Sequence, residues 1–239
     1  MEKIITTWDK VAETYTDNAS QGADHIAHFE ISHQLMGNVK NKSILEVGCG
    51  SGLASLYLAK QGAKLTLLDI APKALAFAQK AFQKEKLPVK LVEGDAFVMP
   101  FKDNHFDIVW NSGVIEHFVD SKKVAMMKEM WRVTKPGGKL IIMAPNKWDL
   151  PFMVAKIILK LRKKWAFGWE DDMSEKEFSD LAKRAGIPQI KTFAYNPMVG
   201  WWFFPYGREV TNVLKLNIVA WHKKKSAMGH VVVMWAEKN

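Results

Sequence analysis

Short apolar segments alternate with helical patterns from residue 43 onward, and this alternation restricts the fold more than any other feature of the sequence. The predicted strands of this part are residues 43–47, 65–69, 89–92, 106–110 and 139–144. Strands and helices that alternate with short connections form a parallel sheet with helices on both of its faces. We therefore predict an α/β core over residues 41–144.

The end of the chain departs from this alternation. A helix is predicted over residues 174–185, because Ser174 can cap its start and Glu177 can complete a capping box. Two further strands are predicted at residues 189–195 and 230–236, which makes the sheet seven-stranded.

Glycines occupy every second position directly after the first strand, at Gly48, Gly50 and Gly52. Without a Cβ atom, the backbone there can turn sharply and approach a ligand closely. The helix that follows offers free N–H groups and the positive end of its dipole. Asp69, at the end of the second strand, can accept hydrogen bonds from both hydroxyls of a ribose. The pattern predicts a nucleotide-type site at the carboxyl edge of the sheet.

A dinucleotide-binding dehydrogenase is the rival interpretation of this glycine loop. Its fingerprint, Gly-x-Gly-x-x-Gly, would place the last glycine at the position of Leu53. The third glycine instead lies one residue earlier, at Gly52, so pyrophosphate binding is not favoured. A tight turn without any ligand is the remaining structural alternative.

Several segments in the same order along the chain carry a family resemblance: residues 8–15, 46–52, 69–70, 94–96, 106–117 and 132–138. They resemble the class I S-adenosylmethionine (SAM)-dependent methyltransferases, specifically the small-molecule branch (type 11) that includes ubiquinone and menaquinone biosynthesis enzymes. The resemblance covers roughly residues 8–144. It implies a Rossmann-like, mostly parallel sheet, a helical N-terminal lid over residues 1–40 and an inserted substrate cap.

The resemblance also implies SAM as the cofactor and assigns residues to it. In this assignment Asp69 binds the ribose, Ile70 packs on the adenine and Asp95 faces the exocyclic amine. The full set of predicted cofactor-binding residues is Trp8, Tyr15, Glu46, Gly48, Cys49, Gly50, Gly52, Asp69, Ile70, Asp95, Ala96, Asn111 and Glu116.

The chemistry of such an enzyme requires little beyond alignment, because the sulfonium already activates the methyl group. A general base is needed only for a poor nucleophile such as a hydroxyl. His117, just beyond the fourth strand, is the best-placed candidate for a catalytic residue. The alternative is that His117 and Glu116 only pack against the cofactor or position it. No metal-ligand pattern is found in the sequence, and no metal is predicted.

The region 145–239 holds the rest of the core and two predicted insertions, residues 145–173 and 196–229. Both leave from the carboxyl edge of the sheet, where ligands bind in this topology, so they are expected to form the cap. Seven of the ten tryptophans lie from Trp148 onward, which favours an apolar or ring-bearing acceptor, with O- or C-directed transfer and lipid-like substrates included.

The segment 151–165 combines apolar residues at helical spacing with several lysines. Leu150, Val154, Ile157, Ile158, Leu161 and Trp165 share one predicted face, whereas Lys156, Lys160, Lys163 and Lys164 lie away from it. This pattern is typical of an interfacial helix on an anionic membrane. It is equally typical of a lid helix that packs its apolar face on its own domain and keeps a solvated basic face.

The net charge of +9 supports a second hypothesis, an RNA methyltransferase. Nucleic acid is nevertheless disfavoured as a partner, since Asn111-Ser-Gly-Val replaces the Asn/Asp-Pro-Pro-aromatic motif of many base-modifying enzymes. A third hypothesis is a non-catalytic SAM-binding or membrane-adaptor protein. The single cysteine, Cys49, and the lack of a signal-peptide pattern favour a cytoplasmic protein, at most peripherally bound to a membrane.

Overall fold

The computed structural model describes residues 2–15, 31–195 and 225–239 of the chain. Most of the predicted second insertion, residues 196–224, therefore lies outside the described residues, as do residues 16–30 of the predicted N-terminal lid.

A seven-stranded sheet forms the centre of the molecule, with the strand order β3-β2-β1-β4-β5-β7-β6. Its strands are β1 Ser43–Val47, β2 Lys64–Asp69, β3 Lys90–Glu93, β4 Phe106–Ser112, β5 Thr134–Pro145, β6 Lys191–Tyr195 and β7 Val231–Glu237. Only β7 runs against the others, since it pairs antiparallel with both β5 and β6. The predicted α/β fold with a mostly parallel, seven-stranded sheet is confirmed.

Helices cover both faces of this sheet. They are α1 Glu2–Ala12, α2 Leu53–Lys60, α3 Pro72–Lys84, α4 Asp120–Val133, α5 Leu150–Leu161 and α6 Glu175–Arg184. Residues 31–36 are also helical, and a 3-10 turn spans Ile115–His117. Two buried clusters result, one between the sheet and α2 and α3, the other between the sheet and α4 and α6.

Local sequence signals account for the ends of several elements. The Ser174 hydroxyl accepts the Glu177 backbone N–H at 3.2 Å, while the Glu177 carboxylate accepts the Ser174 N–H at 2.8 Å. This is the predicted capping box of α6. The predicted turn at residues 135–138 lies inside β5 as a bulge, where the pairing with β4 shifts register between Phe106 and Ile108.

The N-terminal helix α1 is attached to the start of α3. The Lys73 backbone N–H donates to the Asp9 carboxylate at 3.1 Å, and the Lys73 ammonium pairs with Glu13 at 2.5 Å. Asp9 thus satisfies a free N–H of the first turn of α3, a turn that has no cap from its own preceding residue. The contact holds α1 above the carboxyl edge of β2.

Helix α5 packs with the opposite face from the one that its apolar pattern predicts. Its buried residues are Phe152, Ala155 and Lys156, whereas Leu150, Met153, Val154, Ile157 and Leu161 are exposed. Helix α5 thus packs on the domain, as the lid-helix alternative predicts, but most of the predicted apolar face is exposed, with only Ile158 and Trp165 half-buried. The placement of Lys156 on a solvated basic face is wrong, because its side chain is only 7% exposed and is paired with two carboxylates.

Candidate active site

A cavity of about 760 Å³ opens at the carboxyl ends of β1, β2 and β4, beneath α1. Its polar wall contains the glycine loop and the acidic residues Glu46, Asp69 and Asp95. Its apolar wall is largely aromatic and is formed by Trp8, Phe97, Phe118, Phe167 and Trp169. The cavity thus combines a nucleotide-type site with space for an apolar molecule.

The glycine loop after β1 can pack against its neighbours only because two of its positions lack side chains. Gly48 has a φ of 67°, and a Cβ atom there would lie 2.7 Å from a methyl group of Val114. Gly50 has a φ of 51°, and a Cβ atom there would lie 2.9 Å from the Tyr15 hydroxyl. Both positions therefore require glycine for backbone conformation and for space.

Asp69 is held in place by the loop it faces. One carboxylate oxygen accepts the Gly50 N–H at 2.8 Å, and the other accepts the Ala71 N–H at 2.9 Å. Each oxygen keeps further acceptor capacity toward the cavity, which fits a pair of ribose hydroxyls. Burial raises the pKa of Asp69, while these two N–H bonds act in the opposite direction.

Asp95 follows β3 and lines the same cavity as Ile70 and Ala96. Its carboxylate accepts the Phe97 N–H at 2.8 Å, which fixes the turn after the strand. A half-buried acceptor in this place can bind an exocyclic amine, the role that the family resemblance implies for Asp95.

Glu46 lies at the end of β1, and its carboxyl is buried behind the glycine loop. The Ser55 hydroxyl donates to it at 2.5 Å. Burial raises the pKa of Glu46 to about 8; the Ser55 bond lowers it and the neighbouring Asp69 raises it. Burial also raises the pKa of the Cys49 thiol, which keeps Cys49 protonated beside Glu46.

Two aromatic residues of the N-terminal segment close over the loop. The ring of Trp8 meets the His117 ring edge-to-face at 4.8 Å between centroids. Tyr15 meets Phe77 in the same way at 5.5 Å, with its hydroxyl above Gly50. Both predicted lid residues therefore line the cavity.

His117 has the geometry of a base with a fixed tautomer. Its Nδ1 lies 3.2 Å from the Trp169 carbonyl oxygen, which can only accept, so Nδ1 is assigned the proton and Nε2, 3.9 Å from the Glu116 carboxyl, the lone pair. Burial lowers the pKa of His117, although the Trp169 bond acts in the opposite direction. The imidazole is thus neutral near pH 7 and able to accept a proton in the cavity wall.

Three predicted cofactor residues do not line the cavity: Gly52, Asn111 and Glu116. Gly52 serves the packing of α3, because a Cβ atom there would lie 2.9 Å from both Ala78 and Leu67. The Asn111 amide is buried against two methionine sulfurs of α4. Glu116 is buried behind His117, with its nearest oxygen 3.9 Å from the imidazole Nε2. Direct contact of these three with a cofactor stays a prediction.

Sequence reasoning missed the ion pairs that hold the cap segment onto the site. The Lys156 ammonium lies 2.9 Å from Glu170 and 2.6 Å from Asp172, and Lys123, also buried, lies 2.5 Å from Asp171. The three consecutive acids thus attach residues 170–172 to α4 and α5, and this places Trp169 over His117. The sequence contained a signal for these ion pairs, namely three consecutive acidic residues that follow a lysine-rich helix.

Comparison with known proteins agrees with this geometry. A protein-family model described as a methyltransferase domain matches residues 45–142. The ubiquinone biosynthesis O-methyltransferase of Cereibacter sphaeroides is 27% identical over 165 residues, which cover 66% of each chain. The demethylmenaquinone methyltransferase of Thermus thermophilus is 35% identical over 104 residues, or 43% of this chain and 46% of that enzyme. The chain thus matches slightly less than two thirds of the length of the first relative and less than half of the length of the second.

Among solved structures, a SAM-dependent methyltransferase of Thermotoga maritima covers 99% of this chain and 100% of its own, with a TM-score of 0.68 and 19% identity. At this identity the likeness shows the fold alone. The segment matched by the family model contains the glycine loop, Asp69, Asp95 and His117. The chain thus contains a methyltransferase domain and resembles the class I SAM-dependent methyltransferases.

Proposed function

We propose that the chain transfers a methyl group to a hydroxyl oxygen or a ring carbon of a small, apolar, ring-bearing acceptor. SAM, when bound, supplies a methyl group that is already activated by its sulfonium. The chain's own residues then have to hold the two molecules in line, exclude water and, for a hydroxyl acceptor, remove one proton.

The polar wall supports the cofactor half of this proposal. Gly48 and Gly50 form a cradle without side chains, and Asp69 offers one acceptor oxygen to each ribose hydroxyl. Asp95 and Ile70 line the adjoining part of the cavity, where an adenine would be held by one polar and one apolar contact.

The geometry of His117 is the main observation in support of the part of the proposal that concerns the acceptor. Its Nε2 is the acceptor nitrogen, its ring is fixed by Trp169 and Trp8, and it lies in the same cavity as Asp69. The imidazole can take the proton of a hydroxyl as the oxygen forms its bond to the methyl carbon and the bond from that carbon to sulfur breaks. Transfer to a carbon would use the same fixed base to remove the ring proton.

The aromatic wall supports an apolar acceptor. Phe97 and Phe118 meet edge-to-face at 4.9 Å, and Phe167 and Trp169 bring further rings from the cap. Flat apolar rings pack well against such surfaces. Two relatives also carry names that refer to quinone-related compounds: a ubiquinone biosynthesis O-methyltransferase and a demethylmenaquinone methyltransferase.

The test is a transfer assay with methyl-labelled SAM and a matched set of acceptors. The set contains a catechol with an alkyl tail, the same catechol without the tail, its dimethyl ether and a transfer RNA. We expect label in the tailed catechol, less in the short one and none in RNA; mass spectrometry of the product then separates O- from C-methylation. Transfer to RNA alone, or no transfer to any ring compound by protein that binds SAM, would contradict the proposal.

A further inference from the structure

The outer face of α5 is an apolar surface without a partner in the described part of the chain. Eight of the thirteen large apolar residues that are exposed there belong to this region: Trp148, Leu150, Met153, Val154, Ile157, Leu161, Phe167 and Trp169. Five of them form one continuous stripe along α5, and Leu161 is 80% exposed. Apolar side chains concentrated in this way mark an interaction site, unlike those scattered singly.

The orientation of this stripe is fixed from the other side of the helix. Phe152 and Ala155 are buried, and Lys156 is held by Glu170 and Asp172. At the start of α5, Asp149 caps the Phe152 N–H at 3.1 Å and also binds His230 at 2.7 Å. Turning the stripe inward would break all of these contacts, so the helix is built to present its apolar face outward.

The charges beside the stripe select the chemistry of its partner. Lys160, Arg162, Lys163 and Lys164 are all exposed at the end of α5. No acidic residue occurs from 150 to 169, so nothing within this segment neutralises them. An apolar stripe that ends in a group of exposed cations complements a surface that is apolar inside and anionic at its face.

We infer that α5 is a docking helix for an anionic lipid surface. Its apolar stripe enters the boundary between headgroups and acyl chains, while the basic group at residues 160–164 binds the lipid phosphates. No helix in the ranges the structure describes is long and apolar enough to cross a bilayer. Phe167 and Trp169 are exposed and also line the active-site cavity, so docking brings the cavity mouth to the lipid. The inference rests on α5 and not on the proposed acceptor.

The test is co-sedimentation of the full chain with two kinds of vesicle, phosphatidylcholine alone and an equal mixture of phosphatidylcholine and phosphatidylglycerol. We expect binding to the mixed vesicles and a marked loss of binding in high salt, which screens the cationic contribution. The paired variant Ile157→Gln with Leu161→Gln should weaken binding by about tenfold or more, since two inserted apolar side chains are lost. Lys160→Gln with Lys164→Gln should weaken binding to the mixed vesicles alone.

Matched controls replace equally exposed side chains elsewhere. Val98→Gln with Met228→Gln removes two apolar residues that are 75% and 48% exposed, and Lys102→Gln with Lys128→Gln removes two exposed cations. Neither control should alter vesicle binding.

The inference would be overturned by absence of binding to the anionic vesicles, or by stripe variants that bind as the controls do. Light scattering that shows a dimer, lost in the stripe variant but unaffected by vesicles, would assign the surface to a second copy and also overturn it. The SAM affinity of the same variants should stay unchanged. A loss of vesicle binding with normal SAM affinity therefore concerns the docking helix and not the proposed methyltransferase function.

Discussion

The ammonium of Lys156 lies 2.6 Å from both carboxylate oxygens of Asp172, in a place where the lysine side chain is only 7% exposed. Lys156 also binds Glu170 and thereby connects α5 to the segment that carries Trp169. Removing one partner of a buried pair leaves the other charge without compensation, and this costs more than the pair contributes.

Lys156→Met should therefore destabilise the protein by about 3 kcal/mol, the lower end of the range for such losses. Urea denaturation measures it, with Lys160→Met, an exposed neighbour on the same helix, as the control. Adding Asp172→Asn to Lys156→Met should recover part of the loss. If both lysine variants are equally stable, the pair does not hold the cap.

Gly48→Ala should weaken SAM binding and stability together, because the new methyl group would lie 2.7 Å from Val114. Gly137→Ala is the matched control: it has a φ of 72°, close to the 67° of Gly48, and nothing within 4 Å of a new Cβ atom. In each variant, alanine in the left-handed backbone conformation costs about 1–2 kcal/mol of folding free energy. The difference in stability between the two variants therefore measures the steric clash with Val114. Val114→Ala in the Gly48→Ala background should restore binding in part; no rescue would mean that the loop fails for another reason.

His117→Gln should lower kcat for a hydroxyl acceptor by about 10²–10⁴-fold while SAM still binds, as expected for loss of a general base. Since burial lowers the pKa of His117 from 6.5, the neutral base persists below that pH. In the wild-type protein, activity should therefore fall only at pH values below 6.5, as the imidazole becomes protonated. A rate that is unchanged in the variant would reduce His117 to a packing residue beside Trp8.

Glu116 gives the stability a pH dependence. Burial raises its pKa from 4.5 to about 8; a backbone bond lowers it, and the charges of Glu170 and Asp172 raise it. The folded state then keeps a proton that the unfolded chain has lost, so Glu116 contributes stability below pH 4.5 that is lost as the pH rises toward 8. Denaturation of Glu116→Gln across this range should show a smaller decline than the wild type. Parallel curves would contradict the raised pKa.

Asp69→Ala should weaken SAM by about 1–3 kcal/mol, the cost of unpaired buried hydroxyls. Asp180→Ala removes an exposed carboxylate on α6 and should leave the affinity unchanged. Asp69→Asn keeps one acceptor oxygen, so its SAM affinity should lie between those of Asp69→Ala and Asp180→Ala. Equal affinity in all three variants would place the cofactor elsewhere.

The sequence predicts the core well where a local signal decides the structure. The glycine loop, Asp69 and the capping box at Ser174 each follow from short-range geometry, and the observed bounds of β6 and β7 lie within two residues of the predictions. The place of β7 between β5 and β6 is a long-range result that no local pattern contains.

The cap shows where sequence reasoning fails. Periodicity identifies an apolar face on α5 but not whether that face is buried, since this depends on what the opposite face can bind. Lys156 decides the matter through Glu170 and Asp172, which lie 14 and 16 positions further along the chain. Likewise, Asn111 and Glu116 do not line the cavity although their neighbours in the sequence do, because their side chains point in another direction.

The central claim is tested most directly by calorimetric titration of the purified chain with SAM and, separately, with NADH. The geometry of Gly48, Gly50 and Asp69 predicts saturable binding of SAM in the micromolar range and no response to NADH. Absence of SAM binding by protein shown to be folded would contradict the assignment, as would binding of NADH at the same site.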